Sequence, residues 1–247
     1  MNPRRAAWLD QVLAATSLAG LQTVIGRFGE SLGFRYYVYR GRFPGLQEQQ
    51  AEVCIDGFPP AWRSYRAEHG LDGHSNPIRR RALSSVTPIL WHEFLPGYPQ
   101  FYRDRRRFGL VTGLTCPLHA PRGEWSAMSL GSAQAGALAE RRTYDALAEC
   151  HLLVGFVHEA VRRILEREQR RPGSEAHSPP LQRLSSRERD CLLLTSAGQT
   201  TGGIGKLLGI AGRTVTFHLA NARRKLGALN TRHAVSRAIT LGLLTTD

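Results

Sequence analysis

Residues 166–183, EREQRRPGSEAHSPPLQR, collect proline, glycine, serine and charge with no apolar periodicity. Such a stretch has no face to bury, so it reads as a linker. It leaves a block of about 165 residues before it and one of about 65 after it, each large enough to fold as a domain. The spacing places a first domain at 1–167, the linker at 168–183 and a second domain at 184–247.

The second block reads as four short helices. SSRERDCLLLTSAG begins at Ser185 or Ser186 as a cap and ends at Gly198, a C-terminal capping residue. TTGGIGKLLGI follows, then a turn at Ala211 and Gly212, then GRTVTFHLANARRKL (212–226), then TRHAVSRAITLGLL. In the third of these, Val215, Leu219, Ala222 and Leu226 fall on one helical face. Arg213, Thr214, Thr216, Phe217, Asn221, Arg224 and Lys225 lie on the other side, with no acid among them. A solvated surface helix has this look too. Two further features favour a polyanion: a helix, a Gly-containing turn and a basic helix form the helix-turn-helix layout, and the net charge is +13. From residue 181 onward ten Lys/Arg oppose three acids, so the last quarter of the chain carries about half of that excess.

The first block mixes β-rich segments (34–41, 51–58, 113–120 and 124–132) with helical stretches at 5–31, 60–70, 97–108 and 136–167. PRG between the last two strands is a hairpin turn. The apolar stripe in ALAECHLLVGFVHEAVRRILERE is too wide for a lone surface helix, so it packs on the sheet and on another subunit. The expected fold class is α+β: an α/β/α sandwich around an antiparallel sheet, then an all-α four-helix domain. The four cysteines form no CxxC or Cys/His cluster, which reads as reduced thiols in a cytoplasm and no metal. No apolar run approaches the length of a membrane span. The N-terminus, interrupted by Asp10 and Gln11, reads as an amphipathic helix of the mature protein rather than a signal peptide. For an enzyme, the best seed is CPLH, yet Cys116 and His119 are three apart on a strand and point to opposite faces. No catalytic residue is assigned.

From LSSRERD to LGLL the second block resembles the DNA-binding domain of LuxR-type regulators, with Glu188, Leu192, Gly198, Thr214, Val215, His218, Lys225, Leu226 and Leu241–Gly242–Leu243 at marker positions. That domain also ends many response regulators, but a receiver domain needs a lysine and the first block has none. Instead FPPAWRSYRAEHG, NP, PILW and GLVTGLTCPLHAPRGEWSAMSL are similar to autoinducer-binding domains, with Trp62, Pro77, Trp91 and Gly113 matching. The resemblance implies a cytoplasmic homodimer that binds a small signal, an N-acyl-homoserine lactone or analogue, and a palindromic site in double-stranded DNA, with no other cofactor. It implies that Trp62 donates to a lactone carbonyl, that Trp91 walls the ring, and that Thr115 and Ser129 contact the amide region. Tyr37, Val53, Leu114, Trp125 and Met128 would line the pocket, with Phe58, Tyr65 and Asn76 also at the ligand. On the DNA side, Thr216, Phe217, Ala220 and Arg224 would lie nearest the bases. Arg213 would join them at the interface, with Thr214, His218, Asn221, Arg223 and Lys225 at phosphates.

The chain departs from that pattern in both blocks. Asn76 stands where the family has aspartate, Phe58 where many members have tyrosine, and Arg66 where another tyrosine is usual, with Tyr65 beside it. Asparagine still accepts a hydrogen bond but loses charge assistance of roughly 1–2 kcal/mol. Two readings follow, a rearranged acyl-lactone site or a pocket for another signal. In the helix-turn-helix, Gly202, Gly203 and Gly205 each cost about 1 kcal/mol relative to alanine. Ala211 supplies no side-chain cap. A marginal DNA-binding domain follows, and with it an alternative role in sequestering ligand or forming mixed dimers with related regulators.

Overall fold

The computed structural model describes residues 3–44, 46, 52–170 and 184–244. They form two compact units. In the first, five strands make an antiparallel sheet: β1 (Tyr36–Arg42), β2 (Glu52–Asp56), β3 (Ile89–Leu90), β4 (Thr112–His119) and β5 (Trp125–Ser132), in the order β2-β1-β5-β4-β3. Because strand side chains alternate, each strand feeds two cores. Tyr39, Val53, Leu114, Cys116, Met128 and Leu130 pack with α1 (Pro3–Ala14), α2 (Leu18–Ser31) and α8 (Leu147–Gln169). Val38, Ile89 and Trp91 pack on the other side with α3 (Pro60–Glu68), α4 (Pro77–Ser84) and α6 (Pro99–Arg107). Trp91 opens the short helix α5 (Trp91–Phe94). This is the expected α/β/α sandwich, and 121–123 form the turn between β4 and β5.

Several boundaries differ from the sequence reading. The helical stretch expected at 5–31 is two helices, because Ser17 is extended and its hydroxyl accepts the Gly20 N–H to start α2. The stretch expected at 136–167 divides into α7 (Ala137–Asp145) and α8 around Ala146. Helix α8 continues through Gln169, into the segment expected as linker from 168; residues 171–183 lie outside the described residues. Helix α4 was not expected at all. PIRRRALS is short and polar, but Asn76 as N-cap with Pro77 at the first helical position is a start signal that was available.

The second unit holds α9 (Ser186–Ser196), α10 (Thr201–Leu208), α11 (Gly212–Lys225) and α12 (Thr231–Thr240) around Cys191, Leu192, Ile204, Val215, Leu219, Ala222 and Ala234. Ser185 caps α9: its hydroxyl accepts the Glu188 N–H at 3.2 Å, and the Glu188 carboxylate accepts the Ser185 N–H at 2.7 Å. The same Glu188 oxygen accepts from Lys225 Nζ at 2.7 Å, which ties the start of α9 to the end of α11. Thr200 caps α10, and Ala211 leaves α11 without a side-chain cap. Gly205 is not a simple weakness, since a Cβ there would stand 2.7 Å from the Ile210 carbonyl oxygen. The turn between α10 and α11 therefore closes onto a position only glycine fits.

Burial pulls the Glu188 carboxyl upward in pKa, but the Lys225 ammonium and the Ser185 N–H outweigh it and leave it below its ordinary value. Its stabilising contribution is therefore full above the unfolded pKa of about 4 and is lost as pH falls through the lower folded value. Glu188→Gln should cost the second unit about 1–3 kcal/mol at pH 7. It should also remove this group's share of the acid-induced loss. Urea unfolding across pH, followed by circular dichroism, checks both.

Candidate ligand cavity and nucleic-acid face

A cavity of about 60 Å³ opens in the first unit between the sheet and α3, α4 and α6. Drug-sized ligand pockets run to roughly 300–1,000 Å³, so a signal with an acyl chain has to displace side chains to enter. Strand alternation decides which strand residues reach it. Val38 and Arg40 from β1, Thr115 from β4, and Trp125, Ala127 and Ser129 from β5 line it. Phe58, Trp62, Asn76 and Trp91 line it from the helical side.

Trp91 is completely buried, and its indole Nε1–H donates to Thr115 Oγ1 at 2.9 Å. Thr115 and Ser129 share a 2.8 Å hydroxyl bond. The ring lies flat on the sheet because Gly113 and Gly131 have no side chains: a Cβ on Gly113 would come within 2.5 Å of Trp91 and 2.3 Å of the Leu130 carbonyl oxygen. Phe58 meets Trp91 edge-on at 6.4 Å, and Trp62 packs against Phe101 and Phe108. Asn76 is partly committed to the fold, since its Oδ1 accepts the Arg79 N–H at 3.1 Å as the cap of α4.

Not every expected lining residue arrives there. Tyr37 has the opposite strand parity from Val38; its hydroxyl donates to the Gln22 carbonyl at 3.2 Å, and its ring packs on Gly57. Val53, Leu114 and Met128 likewise belong to the other core. Tyr65 stacks on Trp62 and His69 at the outer side and does not line the cavity. Cys116 is buried in the first core, whereas His119 Nε2 lies 3.1 Å from the Ala82 carbonyl oxygen, so the two form no dyad.

The sequence reading missed the charge in this cavity. Arg40, Arg66, Arg79 and Arg105 line it, together with Asp72. RDRRRFG looks like a solvated run, yet Phe101, Asp104 and Arg105 are the buried positions of α6, at helical spacing. That periodicity with Phe101 was the available signal for Arg105. The Arg105 guanidinium lies over the Trp91 ring, 3.5 Å from its centre.

In the second unit, Arg213, Thr216, Phe217, Ala220 and Arg224 are exposed along α11, while Thr214, His218 and Asn221 are half-buried. Phe217 is 62% exposed. Arg224 Nη2 donates to Asn221 Oδ1 at 3.3 Å, and Thr216 Oγ1 to the Gly212 carbonyl at 3.2 Å. Lys225, expected at a phosphate, instead holds Glu188; it sits where α11 turns back on α9 rather than on the open face. Arg223 likewise donates to the Leu229 carbonyl. Among the described residues no helix is long and apolar enough to cross a membrane.

Comparison with known proteins agrees with this arrangement. The description "autoinducer binding domain" matches residues 17–161, and that of bacterial regulatory proteins of the luxR family matches 182–238. The transcriptional activator AhyR of Aeromonas hydrophila is 29% identical over 250 residues, covering 96% of this chain and 90% of its own. A crystal structure of Escherichia coli SdiA superposes with a TM-score of 0.75 at 21% identity, covering 98% of both chains, which is a likeness of fold. SdiA in complex with octanoyl-rac-glycerol gives a TM-score of 0.71 at 21% identity, over 99% of this chain and 96% of that one.

Thr115→Val would keep the shape at the sheet but leave the buried Trp91 N–H without its acceptor. The expected cost is about 1–3 kcal/mol, measured as a lowered urea midpoint with an unchanged slope.

Proposed function

The chain belongs to the family that joins an autoinducer binding domain to a luxR-family DNA-binding domain, and from that premise we propose that it is a cytoplasmic, homodimeric transcription regulator whose grip on a palindromic duplex site is set by a small signal in the Trp62–Asn76–Trp91 cavity. The observation that carries this reading is the aromatic-walled cavity in one unit of a chain whose other unit presents Arg213, Thr216, Phe217 and Arg224 on one open helical face. Helix α11 is the reading helix: Arg224 suits a two-pronged contact to guanine, and Phe217 an apolar contact to a thymine methyl. Thr214, His218 and Asn221 flank it at the backbone.

The signal is an N-acyl-homoserine lactone or an analogue with a different head. SdiA, a chain of the same fold, is described in complex with octanoyl-rac-glycerol, which supports an acyl chain carried on a head other than a lactone. A role confined to sequestering ligand or forming mixed dimers is disfavoured, because Gly205, one of the three glycines that motivate it, fits the turn it occupies.

A labelled duplex selected from a random pool by the whole chain, titrated across salt, tests the DNA half. A dimer with several Arg contacts per subunit predicts log K falling against log salt with a slope on the order of −6. Arg224→Ala should weaken binding by about 1–3 kcal/mol and relax preference at one base position of each half-site. A flat salt response, or no selected site, would overturn this reading in favour of sequestration.

A further inference from the structure

Three of the four arginines in the cavity are matched by carboxylates. Arg40 holds Asp72, Arg66 holds Asp56 and Asp72, and Arg79 grips Glu52 with both terminal nitrogens. Arg105 is the exception. It is 1% exposed, its Nη1 has no hydrogen-bond partner, and among the described residues no carboxylate lies within 4.0 Å of it. Stacking on Trp91 satisfies the face of the guanidinium but none of its in-plane N–H groups. Burial, with Arg66 nearby, pushes its pKa down to about 9 against a small upward pull from Tyr102, so it stays cationic at neutral pH. A buried cation without a counter-ion is an expensive thing to keep.

The neutral polar groups of the cavity have the same bias. Asn76 has committed Oδ1 to the cap of α4, which leaves its amide N–H groups as donors. The Trp91 indole can only donate, so Thr115 Oγ1 accepts it. Thr115 and Ser129 then have two hydroxyl protons and one mutual bond, and one proton remains to donate whichever way that bond runs. Arg105, Asn76 and this hydroxyl pair therefore present donors, with a single positive charge in excess. A lactone offers only weak neutral acceptors to such a site. A phosphate dianion would overshoot the charge, whereas one carboxylate balances it and accepts from a planar guanidinium in a fork.

We propose that the cavity binds the carboxylate of a small apolar acid, with Arg105 as the pairing cation and Asn76 and the Thr115–Ser129 pair as neutral donors around it. This rests on the cavity being the signal site, and it changes the chemistry of the signal from lactone to acid. The acid has two sources of the same chemistry: a ring-opened N-acyl-homoserine, or a simple fatty acid.

Calorimetric titration of the whole chain with a matched set separates them: N-hexanoyl-homoserine lactone, its ring-opened acid N-hexanoyl-homoserine, and hexanoic acid. The proposal expects at least one acid to bind about tenfold or more tighter than the lactone. A tighter homoserine acid identifies the ring-opened signal, and equal or tighter hexanoic acid identifies the fatty acid. Arg105→Gln should weaken acid binding by about tenfold or more and lactone binding by a smaller factor, so that the preference for acid disappears. Arg105→Lys, which keeps the charge, should retain the preference and serves where the glutamine variant fails to fold. A lactone that binds as tightly as both acids, or an Arg105→Gln variant that weakens lactone and acid alike, overturns the acid proposal and leaves the signal site standing. Binding of none of the three overturns both.

Discussion

The layered contact at Trp91 sets the geometry of the first unit's second core. Gly113 and Gly131 leave room for the ring against the sheet, and the Arg105 guanidinium lies over it at 3.5 Å. At its edge the Nε1–H is fixed to Thr115, which is bonded in turn to Ser129. Each layer limits what its neighbour can be. A side chain at Gly113 would lift the indole, and a lifted indole would lose its acceptor. Because that core is closed by aromatic contacts among Phe58, Trp62, Phe101 and Phe108, the position of Trp91 decides whether a polar floor or more hydrocarbon faces the cavity. The outcome is a small cavity with aromatic walls and polar groups that mostly donate.

The second unit depends on a different contact of similar economy. Glu188 serves as the reciprocal half of a capping box and as the acceptor for Lys225, so one carboxylate fixes both the start of α9 and the end of α11. Its negative charge lies near the N-terminus of one helix and its partner's positive charge near the C-terminus of another, both favourable to the helix dipoles. That clasp takes Lys225 off the open face of α11. It leaves Arg213 and Arg224 as the exposed cations of that face, with Thr216 and Phe217 between them.

Much of this was legible in the sequence, and the misses have definite causes. The four helices of the second unit and the β4–β5 hairpin followed from periodicity and turn chemistry, while Trp62, Asn76, Trp91, Thr115, Trp125 and Ser129, which line the cavity, came from the family resemblance. Strand parity was the commonest error: the resemblance offered Tyr37, Val53, Leu114 and Met128 as lining residues, but alternate residues of a strand face different cores. Long apolar stretches hid the breaks at Ser17 and Ala146, where a cap and a single residue redirect the chain. The buried arginines were the deepest omission. A charged residue is read as solvated by default, and only pairing visible in three dimensions shows Arg40, Arg66 and Arg79 neutralised and Arg105 left over.

The central claim is that a small molecule in the first unit controls how the second holds DNA. The most direct measurement is the affinity of the whole chain for its selected duplex, by fluorescence anisotropy at fixed salt. It is made with and without the small-molecule fraction extracted from the protein after expression in its own host. The account predicts a change of about 5- to 150-fold in the dissociation constant, the usual span of coupling between two sites. An affinity that stays the same while that fraction demonstrably binds the protein would contradict it.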